Sequence, residues 1–215
     1  MNHPQRSAAG FTLVELLVVI SIIMVIAGFG ITKVLSMRKE ANLAASKERL
    51  GQIYFQINRY EGKKKRLPTA SGSDFVLSIW GSPYLEKSEN NSAIFFCESL
   101  SRPPVEDETI DEDVTGGTIH WAGRNQGEKR FKIGRIASKG ASKKIIACNK
   151  PLVDNEMPHA GDYLAVLYLD GTTSEIGRDE YPDDWDQEAV LEIGENSPIE
   201  ALIPLAGSPE DDEQY

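Results

Sequence analysis

The first residues in the chain with the means to do chemistry are Gly10, Phe11 and Glu15. The small residues Ala8, Ala9 and Gly10 stand before an apolar run, whereas the cleavage site of a secretory signal follows its apolar region. A peptidase that cuts after Gly10 would therefore leave the apolar segment on the mature protein, with Phe11 as its amino terminus. Glu15 lies one helical turn from that amine, on the same face. An ion pair between the Glu15 carboxylate and a Phe11 amine, in the same or a neighbouring subunit, would set the register of a fibre.

The apolar run that must position these residues is long enough to cross a membrane. Residues 16–32 are seventeen positions without a charge, and Glu15 is the only charged residue in 11–32. A helix rises about 1.5 Å per residue, so residues 11–32 would cover roughly 33 Å, compared with about 30 Å for a bilayer core. A carboxylate in such surroundings is costly without a partner, and residues of this kind are usually functional. The sequence predicts a leader over residues 1–10 and a transmembrane and polymerisation helix over 11–32.

The stretch Gly10-Phe11-Thr12-Leu13-Val14-Glu15-Leu16-Leu17 resembles the prepilin peptidase site of type IV pilins and type II secretion pseudopilins. The resemblance implies cleavage after Gly10, methylation of the Phe11 amine and a role for Glu15 in filament register. It implies four kinds of partner: prepilin peptidase, other pilin or pseudopilin subunits, the inner-membrane assembly platform and membrane lipid. Many such pilins have a proline about two-thirds through the apolar helix, where this chain has Gly28, Gly30 and Thr32. The alternative is an ordinary signal anchor with a chance glutamate.

The net charge of −10 is a property of the carboxy-terminal region. Residues 179–215 contain thirteen acidic and no basic residues, which leaves 23 basic against 20 acidic residues, a net +3, in 1–178. An anionic surface argues against general nucleic-acid binding, which phosphate neutralisation drives. Charge alone gives an ambiguous topology, since one arginine precedes the apolar run and three basic residues soon follow it. The resemblance implies a single-pass protein of the inner (cytoplasmic) membrane with a cytoplasmic amino terminus, which joins a filament after assembly.

The rest of the sequence predicts an α+β fold, in which a long N-terminal helix, half membrane-spanning and half amphipathic, packs on a small antiparallel β-sheet domain. The amphipathic half and the extracytoplasmic domain occupy residues 33–178. Apolar residues at three- and four-residue steps predict the buried face of the helix: Val34, Met37, Ala41, Ala44, Leu50, Ile53, Ile57 and Tyr60. Gly62 is the predicted end of this helix. The basic run 63–66 is interpreted as solvated surface, with a DNA or lipid patch as the alternative.

Strands are predicted at residues 93–97, 118–121 and 143–148, and a hairpin at 163–176. Asp170-Gly171 between its two halves predicts a type I′ turn. This region has a second resemblance, to prepilin-type proteins that end in a hairpin after a His, nine residues and Asp-Gly. Here ten residues separate His159 from Asp170. Phe96-Cys97 before a serine-containing loop and the strand Ser-Lys-Lys-Ile-Ile-Ala at 142–147 follow that subgroup's order.

The two cysteines, Cys97 and Cys148, lie far apart and have no metal-ligand spacing. Both end apolar, strand-like runs and no other cysteine competes, so a Cys97–Cys148 disulfide is predicted, in a compartment where such a bond persists. Two buried free thiols are the alternative.

The sequence shows no catalytic constellation, and we expect no enzymatic activity. His120 and His159 are expected to be structural. Calcium is the one cofactor considered, because acidic residues in the carboxy-terminal region crowd oxygen ligands together: Asp179, Glu180, Asp183, Asp184 and Asp186. Some major pseudopilins bind calcium in a carboxy-terminal loop. The alternative is a solvated acidic surface in a partly disordered region, 179–215.

The resulting hypothesis is a structural pilin or pseudopilin of a type IV pilus-like or type II secretion filament. Such a subunit would be cleaved by prepilin peptidase and assembled through its N-terminal helix. An alternative from another class is an anchored, single-pass binding module that never polymerises. That module would use its acidic carboxy-terminal region to hold a cation or a basic partner.

Overall fold

The computed structural model describes residues 11–81, 83–100, 104–106, 108–126, 134–136, 140–150, 158–182, 193–195 and 197–206. The side chains of residues 27, 29–32 and 160 lie outside that description. The chain divides into two compact units, Met1–Glu40 and Ala41–Tyr215. Each unit is described by itself.

The described part of the first unit is helical. A long helix, α1, spans Leu13–Lys64 and contributes its residues up to Glu40 to this unit. The large apolar side chains of residues 11–26 are exposed, with exposed fractions between 44% and 79%. Across the described ranges, none of the helices combines the length and the hydropathy that a membrane span requires.

In the second unit, α1 buries one side against the domain. Leu50, Ile53 and Ile57 are fully buried, as predicted from their spacing. The prediction was wrong for Ala41 and Ala44, which are exposed, because Ser46 takes the corresponding place on the buried face. Positions 44 and 46 differ by about 200° around a helix at about 3.6 residues per turn, so they cannot share a face. The prediction was also wrong for Val34 and Met37, whose side chains in the first unit are exposed.

The carboxyl end of α1 lies beyond the predicted terminator. Gly62 is inside the helix, which continues to Lys64. Lys65 follows with a φ of 58°, and its backbone N–H donates to the Glu61 carbonyl at 2.7 Å. A residue in the left-handed conformation that returns such a bond is a common way to end a helix.

Short helices and turns connect α1 to the sheet. The α-helices are α2 (Ser73–Leu77), α3 (Glu89–Ser92) and α4 (Ile110–Asp113). The 3₁₀ turns are Ala93–Phe95, Ala141–Lys143, Pro158–Gly161 and Arg178–Glu180. The predicted strand at 93–97 was wrong, because the run begins as a 3₁₀ turn, although its large apolar side chains are buried as expected. A short apolar run has no period that separates strand from helix.

The five strands form one antiparallel sheet in the order β4-β3-β2-β1-β5. Their bounds are Trp121–Arg124 (β1), Ile145–Asn149 (β2), Tyr163–Tyr168 (β3), Thr173–Gly177 (β4) and Leu205–Ala206 (β5). The α+β class and the N-terminal helix packed with an antiparallel sheet are confirmed. β5 comes from the carboxy-terminal region, where no strand was predicted.

The β3–β4 hairpin is present, but its turn is not of type I′. That turn needs a positive φ at Asp170 as well as at Gly171, and Asp170 does not have one. Instead the Gly171 N–H donates to the Tyr168 carbonyl at 3.0 Å, and the Tyr168 N–H donates to the Thr172 carbonyl at 2.9 Å. This is a type I turn followed by a left-handed Gly171, with a φ of 91°. A Cβ at Gly171 would also overlap the Tyr54 ring on α1.

The sheet separates two buried clusters. The cluster on one face includes the α1 residues Leu50, Ile53 and Ile57. The cluster on the other face is closed by Tyr181, Leu202 and Leu205 from the carboxy-terminal region. Residues 197–206 of that region therefore belong to the domain. The prediction of partial disorder concerned residues 210–215 and stays a prediction, because residues 207–215 lie outside the described residues.

Candidate processing and assembly site

The amino end of α1 is built by a reciprocal pair of residues, Thr12 and Glu15. The Glu15 N–H donates to Thr12 Oγ1 at 3.3 Å. In return, Glu15 Oε2 accepts from the Thr12 N–H at 2.9 Å and from Thr12 Oγ1 at 2.8 Å. This is a capping box, in which two side chains satisfy backbone donors that the first turn of a helix would leave unpaired.

The capping box places the start of the helix next to the predicted cleavage point. Phe11 precedes the cap and its side chain is 79% exposed. Gly10, the other side of the predicted cut, lies outside the described residues. Cleavage after Gly10 would leave the helix cap intact, since both of its residues are on the mature side.

Glu15 is only partly engaged by the capping box. Its Oε2 accepts both Thr12 bonds, and its Oε1 makes no hydrogen bond to any residue in the described ranges. A carboxylate accepts on both oxygens. The structure therefore leaves one oxygen of Glu15 open to a donor from outside the described chain, at the positive end of the helix dipole.

Sequence reasoning missed the capping box, although its signal is in the sequence. Thr12-Leu13-Val14-Glu15 is a Thr-x-x-Glu pattern before an apolar run, which is the pattern of a helix start. The spacing of Glu15 from Phe11 drew attention to an amine partner. Its spacing of three residues from Thr12 gives Glu15 a local structural role as well.

The two cysteines are free, so the predicted disulfide was wrong and the alternative of two buried thiols holds. The reason is that the two cysteines lie on opposite sides of the sheet. Cys97 belongs to the cluster on the α1 side, and Cys148 belongs to the cluster on the opposite face. Burial raises the pKa of the Cys148 thiol, which therefore stays protonated.

Cys97 is the centre of a buried polar cluster that includes residues of the second resemblance. Its Sγ lies 3.2 Å from Ser46 Oγ, 2.9 Å from Ser99 Oγ and 3.8 Å from His159 Nε2. Its backbone N–H donates to His120 Nδ1 at 3.0 Å. The His159 N–H donates to Ser99 Oγ at 2.9 Å. The cluster ties α1 to the loop after the 93–95 turn and to the turn that precedes β3.

Both histidines of this cluster are neutral. Burial lowers the pKa of His120 to about 4, with a further contribution from the Lys150 charge. Burial likewise lowers the pKa of His159 to about 4, against an opposing effect of Asp162. His159 Nδ1 is buried without a hydrogen-bond partner among the described residues. We assign its proton to Nε2, which faces the Cys97 sulfur, because a lone acceptor is easier to leave unpaired than a lone donor.

Because the two histidine pKa values lie below that of free histidine, the domain should lose stability in mild acid. The unfolded chain takes up protons as the pH falls through about 6.5, whereas the folded chain resists until about pH 4. Each histidine should therefore cost up to roughly 3 kcal/mol of unfolding free energy over that window, at about 1.4 kcal/mol per pKa unit. Urea unfolding of the full chain in detergent between pH 7 and pH 4 measures this loss.

Matched variants separate the loss of stability due to the histidines from the loss due to carboxylates, which also take up protons as the pH falls. Asparagine at His120 retains an acceptor near Nδ1, and glutamine at His159 retains a polar group near Nε2. The double variant His120→Asn/His159→Gln should lose much less stability between pH 6.5 and pH 4 than the natural chain. An unchanged pH profile in the double variant would contradict the assignment.

The predicted calcium site is untested by the described residues. Asp179 lies in the 3₁₀ turn Arg178–Glu180, while Asp183, Asp184 and Asp186 lie outside the described residues. Within the described ranges, no three His, Cys, Asp or Glu side chains converge in a way that would hold a metal ion. Calcium binding stays a prediction.

Comparison with known proteins gives one finding, and it concerns the same end of the chain. Residues 5–31 match the family described as the prokaryotic N-terminal methylation motif. No curated protein and no solved structure matches the chain. The matched residues include the predicted cleavage point, the capping box and the first part of α1. The chain thus carries, at residues 5–31, the prepilin-type signal of type IV pilins and pseudopilins.

Proposed function

We propose that the chain is a structural subunit, a pilin or pseudopilin, of a type IV pilus-like or type II secretion filament. Prepilin peptidase cleaves it after Gly10, and the new Phe11 amine is methylated. The observation that carries the proposal is the match of residues 5–31 to the N-terminal methylation motif. Two features of the structure support it: the helix cap falls just after the proposed cut, and one oxygen of Glu15 is left open.

The exposed apolar surface of the first unit supports assembly through α1. Residues 11–26 leave their large apolar side chains uncovered, and soluble monomers rarely expose a contiguous apolar patch of such extent. In the proposed life cycle, lipid covers this surface before assembly and neighbouring subunits cover it afterwards. The precursor is a single-pass protein of the inner membrane, with residues 1–10 in the cytoplasm and the domain outside it. The remaining partners are the inner-membrane assembly platform and other subunits.

The intact mass of the protein extracted from membranes tests this proposal. We expect the mass of residues 11–215 plus one methyl group, with the methyl located on Phe11 by fragment-ion sequencing. The same species should be found in filaments sheared from cells. A membrane protein that keeps residues 1–10 and stays monomeric would instead support the anchored binding module.

A further inference from the structure

A run of four basic residues at the carboxyl end of α1 lacks a counter-charge among the described residues. The run, called the basic run below, is Lys63, Lys64, Lys65 and Arg66, and all four residues are exposed. The Lys63 ammonium lies 5.6 Å from the centre of the Tyr84 ring. The side chains of Lys64, Lys65 and Arg66 make no ion pair or hydrogen bond with any residue in the described ranges.

The carboxylate nearest in the sequence, Glu61, is already committed. It is buried, its Oε1 accepts from Arg135 Nε at 2.9 Å, and its Oε2 accepts from the Ile136 N–H at 3.2 Å. Arg135 therefore brings a further cation to this end of the helix. In a chain with ten more acidic than basic residues, an uncompensated cluster of this kind is a natural docking place for an acidic segment.

The sheet topology places Ala206, the last described residue before an acidic segment, near the loop that follows the basic run. Ala206 in β5 pairs with Gly123 in β1. The Gly72 carbonyl lies so close to Gly123 that a Cβ on Gly123 would overlap it. The Gly72 N–H donates to the Arg124 carbonyl at 3.3 Å. The chain therefore leaves the described structure at Ala206 beside the loop that begins just after the basic run.

The lengths of chain on both sides permit a contact. Arg66 precedes Gly72 by six residues, and Glu210 follows Ala206 by four residues. At about 3.4 Å per extended residue, Arg66 lies at most about 20 Å from Gly72, and the four residues after Ala206 extend up to about 14 Å before the side chains are counted. The segment 210–213 reads Glu-Asp-Asp-Glu, so its four carboxylates match the four cations of the basic run in number.

We propose that residues 210–213 dock on the basic run of the same chain. Single surface ion pairs contribute little, but a tethered segment meets its partner at a high effective concentration, and four pairs act together. The contact would neutralise the basic run, and it would weaken as salt screens the charges. This inference does not depend on whether the chain forms filaments.

Zero-length carbodiimide crosslinking of the full-length protein in detergent tests the proposal. An equal mixture of ¹⁴N- and ¹⁵N-labelled protein is crosslinked at low concentration, digested with trypsin and sequenced by fragment ions. We expect lysines of the basic run joined to residues 210–213 within single-isotope products, with a yield that falls several-fold at about 0.5 M salt. Mixed-isotope products would assign the docking to a second copy and overturn the contact within one chain. Crosslinks spread over all acidic segments, or none at the basic run, would also overturn it.

A second measurement reports on the lysines directly. Neutralising the segment with Glu210→Gln, Asp211→Asn, Asp212→Asn and Glu213→Gln should make Lys63, Lys64 and Lys65 react several-fold faster with an amine-acetylating reagent. The matched control neutralises four exposed acidic residues elsewhere: Glu106→Gln, Glu108→Gln, Asp111→Asn and Glu112→Gln. The control should leave the three acetylation rates unchanged. Equal rates in the natural chain and the segment variant would overturn the proposal.

Discussion

Replacing Glu15 by glutamine should leave the protein processed and folded but unable to form filaments. Glutamine at this position preserves the capping box, because its side-chain carbonyl accepts the bonds that Thr12 donates to Glu15 Oε2. What it removes is the negative charge that, in the proposed assembly, pairs with the Phe11 amine of a neighbouring subunit. Breaking one side of a buried ion pair costs about 3–5 kcal/mol, so the assembly equilibrium should fall by more than about a hundredfold. The amount of subunit in sheared filament fractions measures this loss of assembly.

Two companion variants separate charge from helix capping. Glu15→Ala removes both and should also fail to assemble, while it is cleaved normally because the cut lies upstream. Thr12→Val removes the Thr12 hydroxyl from the capping box and keeps the charge, at a cost of about 1 kcal/mol to the helix start. It should still form filaments. Filament amounts from Glu15→Gln equal to those of the natural protein would contradict the register role, and an equal defect in Thr12→Val would assign the effect to the cap.

Replacing Gly10 by valine should abolish processing. The peptidase must fit the residue before the cut into its active site, and a branched side chain at a place held by glycine should obstruct that fit. We expect an intact mass that retains residues 1–10 and no methyl group on Phe11, since its amine is never released. Gly10→Ala, which adds one methyl group, should be cleaved more slowly but still completely over long times. Rapid cleavage of Gly10→Val would contradict the proposed site.

The residues that could be predicted from the sequence are those whose local pattern decides the structure. Asp170-Gly171 between two strand-like runs predicted the hairpin, and the spacing of Leu50, Ile53 and Ile57 predicted the buried face of α1. The exact turn was not predictable, because Asp-Gly also suits a type I turn with a left-handed glycine. The choice between the two depends on tertiary contacts, including the packing of Tyr54 against Gly171.

Features that depend on the path of the whole chain were missed. The two cysteines look alike in sequence, since each ends an apolar run, yet they face opposite sides of the sheet. Nothing in the local sequence marks Leu205 as part of a strand, because β5 forms only through its pairing with β1. For the candidate site, the Thr-x-x-Glu pattern was available and the helix start could have been predicted from it.

The pairing of β5 with β1 sets the point in synthesis at which the sheet can be completed. Arg124 and Leu205 pair across strands although they are 81 positions apart in the chain. At about 5–20 residues per second, a ribosome needs between about 4 and 16 s to add those residues. Throughout that interval β1 has an unpaired edge, and the sheet face that Leu202 and Leu205 will cover is bare. The domain therefore cannot complete its sheet before residue 205 has been made, and a chain that stops short of that residue exposes an unpaired strand edge and an apolar sheet face.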